Sequence, residues 1–163
     1  MKKWWLILGM LVFFSGCSRQ KAMETVTDEW AQPVIAPHAQ LSMWLPEEAV
    51  QEVMDGDSGS LYFCSGYTLT VQTLPSGDTE ETLKSLTGFG EDVLSPMETQ
   101  RKGVRRLDWV WTAMGEDGQQ VCRGAFLDDG NYHYILSVMG TAENAWENYP
   151  VWLSMFHSFA VVG

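Results

Sequence analysis

Basic side chains are scarce in this chain: ten Lys and Arg stand against 21 Asp and Glu in 163 residues. A surface so poor in cations repels phosphates, which excludes nucleic acid as a natural partner and works against anionic lipid headgroups as well. Histidine and cysteine are scarcer, at three each. His38, His133 and His157 have no Cys, His or carboxylate neighbours at metal-ligand spacing, so no metal site is expected, and no motif asks for a cofactor. No apolar run reaches the roughly 20 residues that cross a bilayer as a helix. Internal repeats and low-complexity tracts are also missing.

What is present begins at the first residue. Met1, Lys2 and Lys3 form a short basic start, Trp4 to Phe14 is an apolar core, and Ser15-Gly16 supplies the small residues that a signal peptidase needs. Arg19 and Lys21 follow almost at once, so the segment reads as a secretory signal over residues 1–16. Phe14-Ser15-Gly16-Cys17 resembles the lipobox of bacterial lipoproteins, departing from it at Phe14, where that family usually carries Leu or another aliphatic residue. The resemblance implies that the Cys17 thiol receives a diacylglycerol, that the signal is cut away, and that Cys17 becomes the first mature residue. Each buried methylene of such an anchor contributes about 0.8 kcal/mol, and two or more chains hold a protein stably on a membrane. The expected address is the cell envelope, facing outside the cytoplasm. An ordinary secretory signal with an incidental cysteine is the alternative.

Removal of residues 1–16 leaves 147, enough for one domain with a sizeable core. Eight basic residues then face 21 acidic ones, a net of −13 before the termini. Cys64 and Cys122 remain, and an oxidising compartment permits a disulfide between them. Both fall in strand-like segments, where a cysteine also serves as a small buried hydrophobe.

Residues 17–37 combine the lipidated cysteine with a polar stretch carrying two prolines and no sustained period, as expected of a flexible tether. The folded domain is expected over 38–163. Leu41, Met43 and Leu45 alternate with polar or partly polar neighbours in a first strand, and PEEAVQEVMDG reads as a short acidic helical turn. LYFC and YTLTVQTL, separated by Ser65-Gly66, predict a hairpin. Asp78 with Glu81 three residues on predicts a capped helix that runs through Leu83 and Leu86 to Gly88. Residues 92–99 read as a weaker strand interrupted by Pro96. RRLDWVWTAM, QVCRGAFL and NYHYILSVM, joined by turn clusters, predict an antiparallel meander with both sheet faces partly covered. In the last segment Ala142, Ala145, Trp146, Tyr149, Trp152, Leu153 and Phe156 share one helical face, expected to pack on the sheet, with Pro150 kinking or restarting the helix after Asn148.

The fold class is therefore α+β, an antiparallel sheet of about six strands flanked by helices. This element order, with YTLTVQTL before the first long helix and FHSFAVV after the last, resembles the PsbP-like family. That group includes the extrinsic photosystem protein and bacterial lipoproteins related to DcrB. The resemblance covers roughly residues 38–162. It implies an extrinsic or accessory binding role and brings no catalytic motif with it.

Several short motifs invite chemistry. Gly56-Asp57-Ser58-Gly59 matches the nucleophile tetrad of trypsin-like proteases, but no supporting histidine motif accompanies it and the chain is too short for two barrels, so a glycine-rich turn explains it better. Read as a calcium loop, the same stretch places Ser60 and Gly66 where glycine and a bidentate glutamate are required. Ser18-Arg19-Gln20-Lys21 fits a Ser-x-x-Lys pattern without any companion motif. Arg101, Lys102, Arg105 and Arg106 gather half of the mature basic residues around Gly103. This cluster could meet an acidic partner or headgroups, or could guard a strand edge. Six tryptophans outside the signal suit core packing, with Trp30 and Trp44 the least accounted for. The function expected is a lipid-anchored, non-enzymatic module that binds an unknown protein or small ligand. A hydrolase of unrecognised type and a structural spacer are the rival readings.

Overall fold

The computed structural model describes residues 32–36, 39–53, 59–115 and 118–162. The signal segment, Cys17, the tether as far as residue 31 with its Trp30, Pro37, His38, and the Gly56-Asp57-Ser58 part of the glycine-rich motif lie outside the described residues.

Alternation builds the centre of the molecule. Strand β5 (Tyr67–Pro75) buries Tyr67, Leu69, Val71 and Thr73 on one side, and its neighbours carry the same pattern in register. With β3 (Val50–Val53), β4 (Gly59–Cys64), β6 (Met97–Arg101), β7 (Val104–Gly115), β8 (Gly118–Asp128) and β9 (Tyr132–Thr141) it forms one antiparallel sheet. The strand order is β3-β4-β5-β9-β8-β7-β6. A second sheet of three strands, β1 (Gln32–Ala36), β2 (Ala39–Met43) and β10 (Ala160–Val161), has β2 at its centre.

One face of the large sheet is covered by β2 together with α3 (Ala142–Glu147) and α4 (Tyr149–Ser158). Leu41, Met43, Trp152, Met155, Phe156 and Phe159 from this layer meet Leu69, Val71, Tyr134, Leu136 and Val138 from the sheet. The opposite face is covered at one end only, by α1 (Thr79–Thr87) and α2 (Glu91–Leu94). There Leu83 and Leu94 pack on Leu107, Trp109, Phe126 and Ile135. Trp109 lies flat across Gly124, where a Cβ would meet its ring at 2.3 Å, so a side chain at 124 would displace the indole.

The expected fold class holds, with seven strands in the main sheet rather than about six. The hairpin at Ser65-Gly66, the Asp78-capped helix and the three-strand meander all form as read. Four local expectations give way to tertiary structure. Gln32–Ala36 lies within the stretch read as tether, yet pairs with β2, with Pro33 on an edge strand where its missing N–H is tolerated. The acidic segment after Pro46 turns at Glu47-Glu48 and continues as edge strand β3, because pairing with β4 outweighs its modest helical preference. Residues 91–94 make a helical turn, and the strand starts only after Pro96. Trp146, assigned to the buried helical face, is 84% exposed. The helix breaks at Asn148 and restarts with Pro150 in its first turn, so α3 and α4 do not share one face.

Candidate functional site

Among the described residues His133 is the buried histidine, and a buried imidazole beside a serine and a carboxylate invites a catalytic reading. His133 accepts from the Gly77 N–H at Nε2 (3.3 Å), which leaves Nδ1 to donate to the Thr82 hydroxyl (3.3 Å). Ser76 Oγ and Asp128 Oδ2 approach the same Nε2, at 3.4 and 3.9 Å. A hydrolytic triad needs serine and carboxylate on opposite ring nitrogens, so Ser76, His133 and Asp128 do not form one. Burial of the ring pushes its pKa down, against the pull of Asp128, and the neutral imidazole pins the start of α1 to β9. His157 is exposed and has no nucleophile bonded to it; burial of its ring and the Arg123 charge also lower its pKa. Among the described residues no group of three or more His, Cys, Asp or Glu could hold a metal ion.

The basic cluster is divided by the sheet. Arg101 and Lys102 lie exposed at the β6–β7 turn. Arg105 points to the helix α1 side, donating to both carboxylate oxygens of Glu98 at 3.0 Å. That hydrogen bonding raises its pKa and lowers that of Glu98. Arg106 points the other way. It holds Asp108 by two bonds of 2.7 and 2.8 Å and donates to the carbonyls of Phe156 and Phe159 at the end of α4. Adjacent residues on a strand face opposite sides, so four cations that are neighbours in sequence do not make one surface.

The two thiols are likewise held apart. Both Cys64 and Cys122 are free. Cys64 pairs across to Tyr67 on β5, whereas Cys122 sits on β8, with β5 and β9 between their strands. Three inter-strand steps of about 4.8 Å separate them by about 14 Å, twice the span a disulfide tolerates. The permitted bridge is therefore not formed. Cys122 is instead the buried hydrophobe of the alternative reading, its thiol pushed up to about 11 by burial.

What the structure does assemble is a row of side chains on the half of the sheet that no helix covers. Register places Val50 (β3), Phe63 (β4), Thr68 (β5), Met139 (β9), Cys122 (β8) and Trp111 (β7) side by side on one face. Five steps of about 4.8 Å make the row about 24 Å long. Val50 is 66% exposed, Phe63 47% and Met139 39%, while Trp111 is half-buried and stacks on Trp109 with ring centroids 6.1 Å apart. The next row towards α1 holds Glu52, Leu61, Thr70, Ser137, Gly124 and Trp109. The row crosses six strands; its exposed apolar members are Val50, Phe63 and Met139, the fully buried Cys122 lies between Met139 and Trp111, and Glu52 stands beside its edge. Sequence reading found Trp111 but placed it in a covered core. The register that lines it up with Phe63 and Met139 joins residues far apart in the chain.

No protein-family model matches the sequence, and no curated protein matches it. Solved structures do share the architecture. The solution structure of cyanobacterial PsbP (CyanoP) from Synechocystis sp. PCC 6803 superposes with a TM-score of 0.58 at 12% identity, covering 85% of this chain and 96% of that one. The domain has the PsbP-like fold. The same fold relates it to the Ran-binding protein Mog1p of Saccharomyces cerevisiae (TM-score 0.51, 12% identity, 81% and 95% covered). LpqN, involved in cell envelope biogenesis of Mycobacterium tuberculosis, is similar to the same extent (TM-score 0.51, 8% identity, 82% and 91% covered). In this PsbP-like domain the exposed row lies on the face turned away from α3 and α4.

Proposed function

We propose that this chain is a lipid-anchored, extracytoplasmic PsbP-like domain that binds a protein partner through the open half of its sheet and performs no catalysis itself. The observation that carries the binding reading is the open sheet face on which Val50, Phe63 and Met139 stand exposed in register with half-buried Trp111, apolar side chains of the kind that monomers normally bury. Aromatic residues and methionine are the side chains that interface centres favour. With a mature net charge of −13, the domain suits a partner whose apolar patch is rimmed by basic residues. The anchoring half of the reading rests on Phe14-Ser15-Gly16-Cys17 and the basic and apolar segments before it. Mog1p, described as Ran-binding, and LpqN, described as acting in cell envelope biogenesis, support a binding role at an envelope.

Photo-crosslinking from position 50 or 68 of the same row, in native membranes, tests the binding surface. One discrete product is expected, and it should vanish when Phe63→Ser and Met139→Ser are combined, without a change in unfolding midpoint. Labelling spread equally over positions on α1 and on the row would refute it. Intact mass tests the anchor: purified protein should begin at Cys17 and carry acyl chains, and Cys17→Ser should appear in the soluble fraction.

A further inference from the structure

The opposite side of the molecule carries a second exposed apolar surface. Val110 and Met114 on β7 are 61% and 81% exposed, and they point to the same sheet face as α3 and α4. Trp146 at the end of α3 is 84% exposed, and Tyr149, three residues on, is 52% exposed. Arg123 on β8 stands opposite Val110 and lies 4.4 Å over the Phe156 ring. Burial pushes its pKa down; the charge of Asp108 acts against this and the like charge of Arg106 adds to it. Arg123 makes no hydrogen bond or ion pair among the described residues, because Asp108 is taken bidentately by Arg106. Trp146, Tyr149, Met114 and Val110 are thus exposed on one side of the sheet, a ledge where Arg123, stacked on Phe156, has no ion pair among the described residues.

We infer that this ledge rests on the headgroup region of a zwitterionic phospholipid bilayer, with Trp146 and Tyr149 at the interface and Arg123 meeting a lipid phosphate. Three observations argue for a bilayer as the occupant. Trp and Tyr have an apolar body and a polar tip, which suits them to the boundary between acyl chains and water. The first described strand begins at Gln32, in the small sheet that shares its layer with α4, which is the ledge side of the molecule. Fourteen residues separate Cys17 from that strand, a reach of at most about 50 Å, which keeps the domain close to any membrane that holds the cysteine. Charge selects the lipid: Glu143 and Glu147 flank Trp146 on α3, so anionic headgroups would be repelled while zwitterionic ones are not. The inference rests on the anchor reading, and it gives the proposed binding row a direction. With the ledge on the bilayer, the Val50–Trp111 row faces away from the membrane.

The test uses the full-length protein purified from membranes and reconstituted into phosphatidylcholine vesicles with or without bromines on the acyl chains. All variants carry Trp30→Phe, to remove the tether's own indole. Brominated lipid is expected to quench part of the tryptophan emission, and Trp146→Phe should abolish that quenchable part. Met114→Asp should reduce it while leaving the circular dichroism spectrum intact, and adding phosphatidylglycerol should weaken it. Quenching that is absent, or equal in the parent and in Trp146→Phe, would overturn the inference. The intact mass of the same sample judges the anchor separately: acylated protein without quenching refutes the ledge alone, and unacylated protein that is still quenched refutes the anchor alone.

Discussion

Arg106 does more structural work than any other cation described. One guanidinium closes a bidentate pair with Asp108 and binds two carbonyls at the end of α4, where the helix dipole favours positive charge. Its side chain is 12% exposed and that of Asp108 9%, so removing Arg106 leaves a buried carboxylate without a partner. Arg106→Met should therefore cost about 3–5 kcal/mol in urea unfolding, and Asp108→Asn in the same background should recover part of it. Lysine should rescue poorly, because it lacks the planar fork. Gly124 supplies a second prediction at this scale. Gly124→Ala pushes a methyl into the Trp109 ring and should cost about 1–3 kcal/mol, with a change in near-ultraviolet circular dichroism. The identity of both residues is plain in the sequence, yet neither role is. A strand arginine reads as a surface charge until α4 is folded back over it.

His133 sets a pH dependence of stability. Its folded pKa lies below the ordinary value because the ring is buried, so the unfolded chain binds the proton more readily. The stability this neutral ring contributes is complete above about pH 6.5 and is lost as pH falls through that value towards the folded pKa. His157 adds a shift of the same sign, for burial and the Arg123 charge lower it too. In a His157→Gln background, His133→Gln should flatten the slope of unfolding free energy between pH 7 and 5. A slope unchanged by His133→Gln would disprove the assignment.

At the scale of elements, local signals were read correctly where the chain caps or turns itself. Asp78 accepts from the Glu81 N–H at 3.0 Å and Gly88 closes the same helix in the left-handed region, as the spacing of those residues predicts. Asp78→Ala should cost about 1 kcal/mol and fray α1, measurable as faster amide exchange at Glu81. Gly66, at φ +82°, turns the β4–β5 hairpin and presses against Asn144 of α3, so Gly66→Ala should disturb hairpin and helix together. Elements misread from sequence are those whose state is settled by a partner distant in the chain. Val50–Val53 becomes a strand because β4 offers it an edge, and Gln32–Ala36 because β2 does. Trp146 is exposed because Asn148 interrupts the helical phase, although the spacing from Ala142 to Phe156 fits a single helix.

For the whole molecule, the distribution of cover over the two sheet faces decides what the surface offers. One face carries two helices and a small sheet, the other two short helices at one end. The apolar row and the ledge are the portions left over, on opposite sides. If the row is the binding surface and the ledge the membrane surface, Phe63→Ser should abolish crosslinks without releasing Trp146 from bilayer quenching, and Met114→Asp should do the reverse. Loss of both readouts in either variant would show that the two surfaces are not independent.

The alternating strands, the capped helix, the acid excess and the lipobox resemblance were determined by the sequence alone, because each depends on residues within a few positions of one another or on a simple count. Only the tertiary structure decided that Arg105 and Arg106 face opposite ways, that the two thiols lie about 14 Å apart, and that Phe63, Met139 and Trp111 share a row. Those relations depend on strand order and register, which bring together side chains tens of residues apart, and no local period in the chain records them.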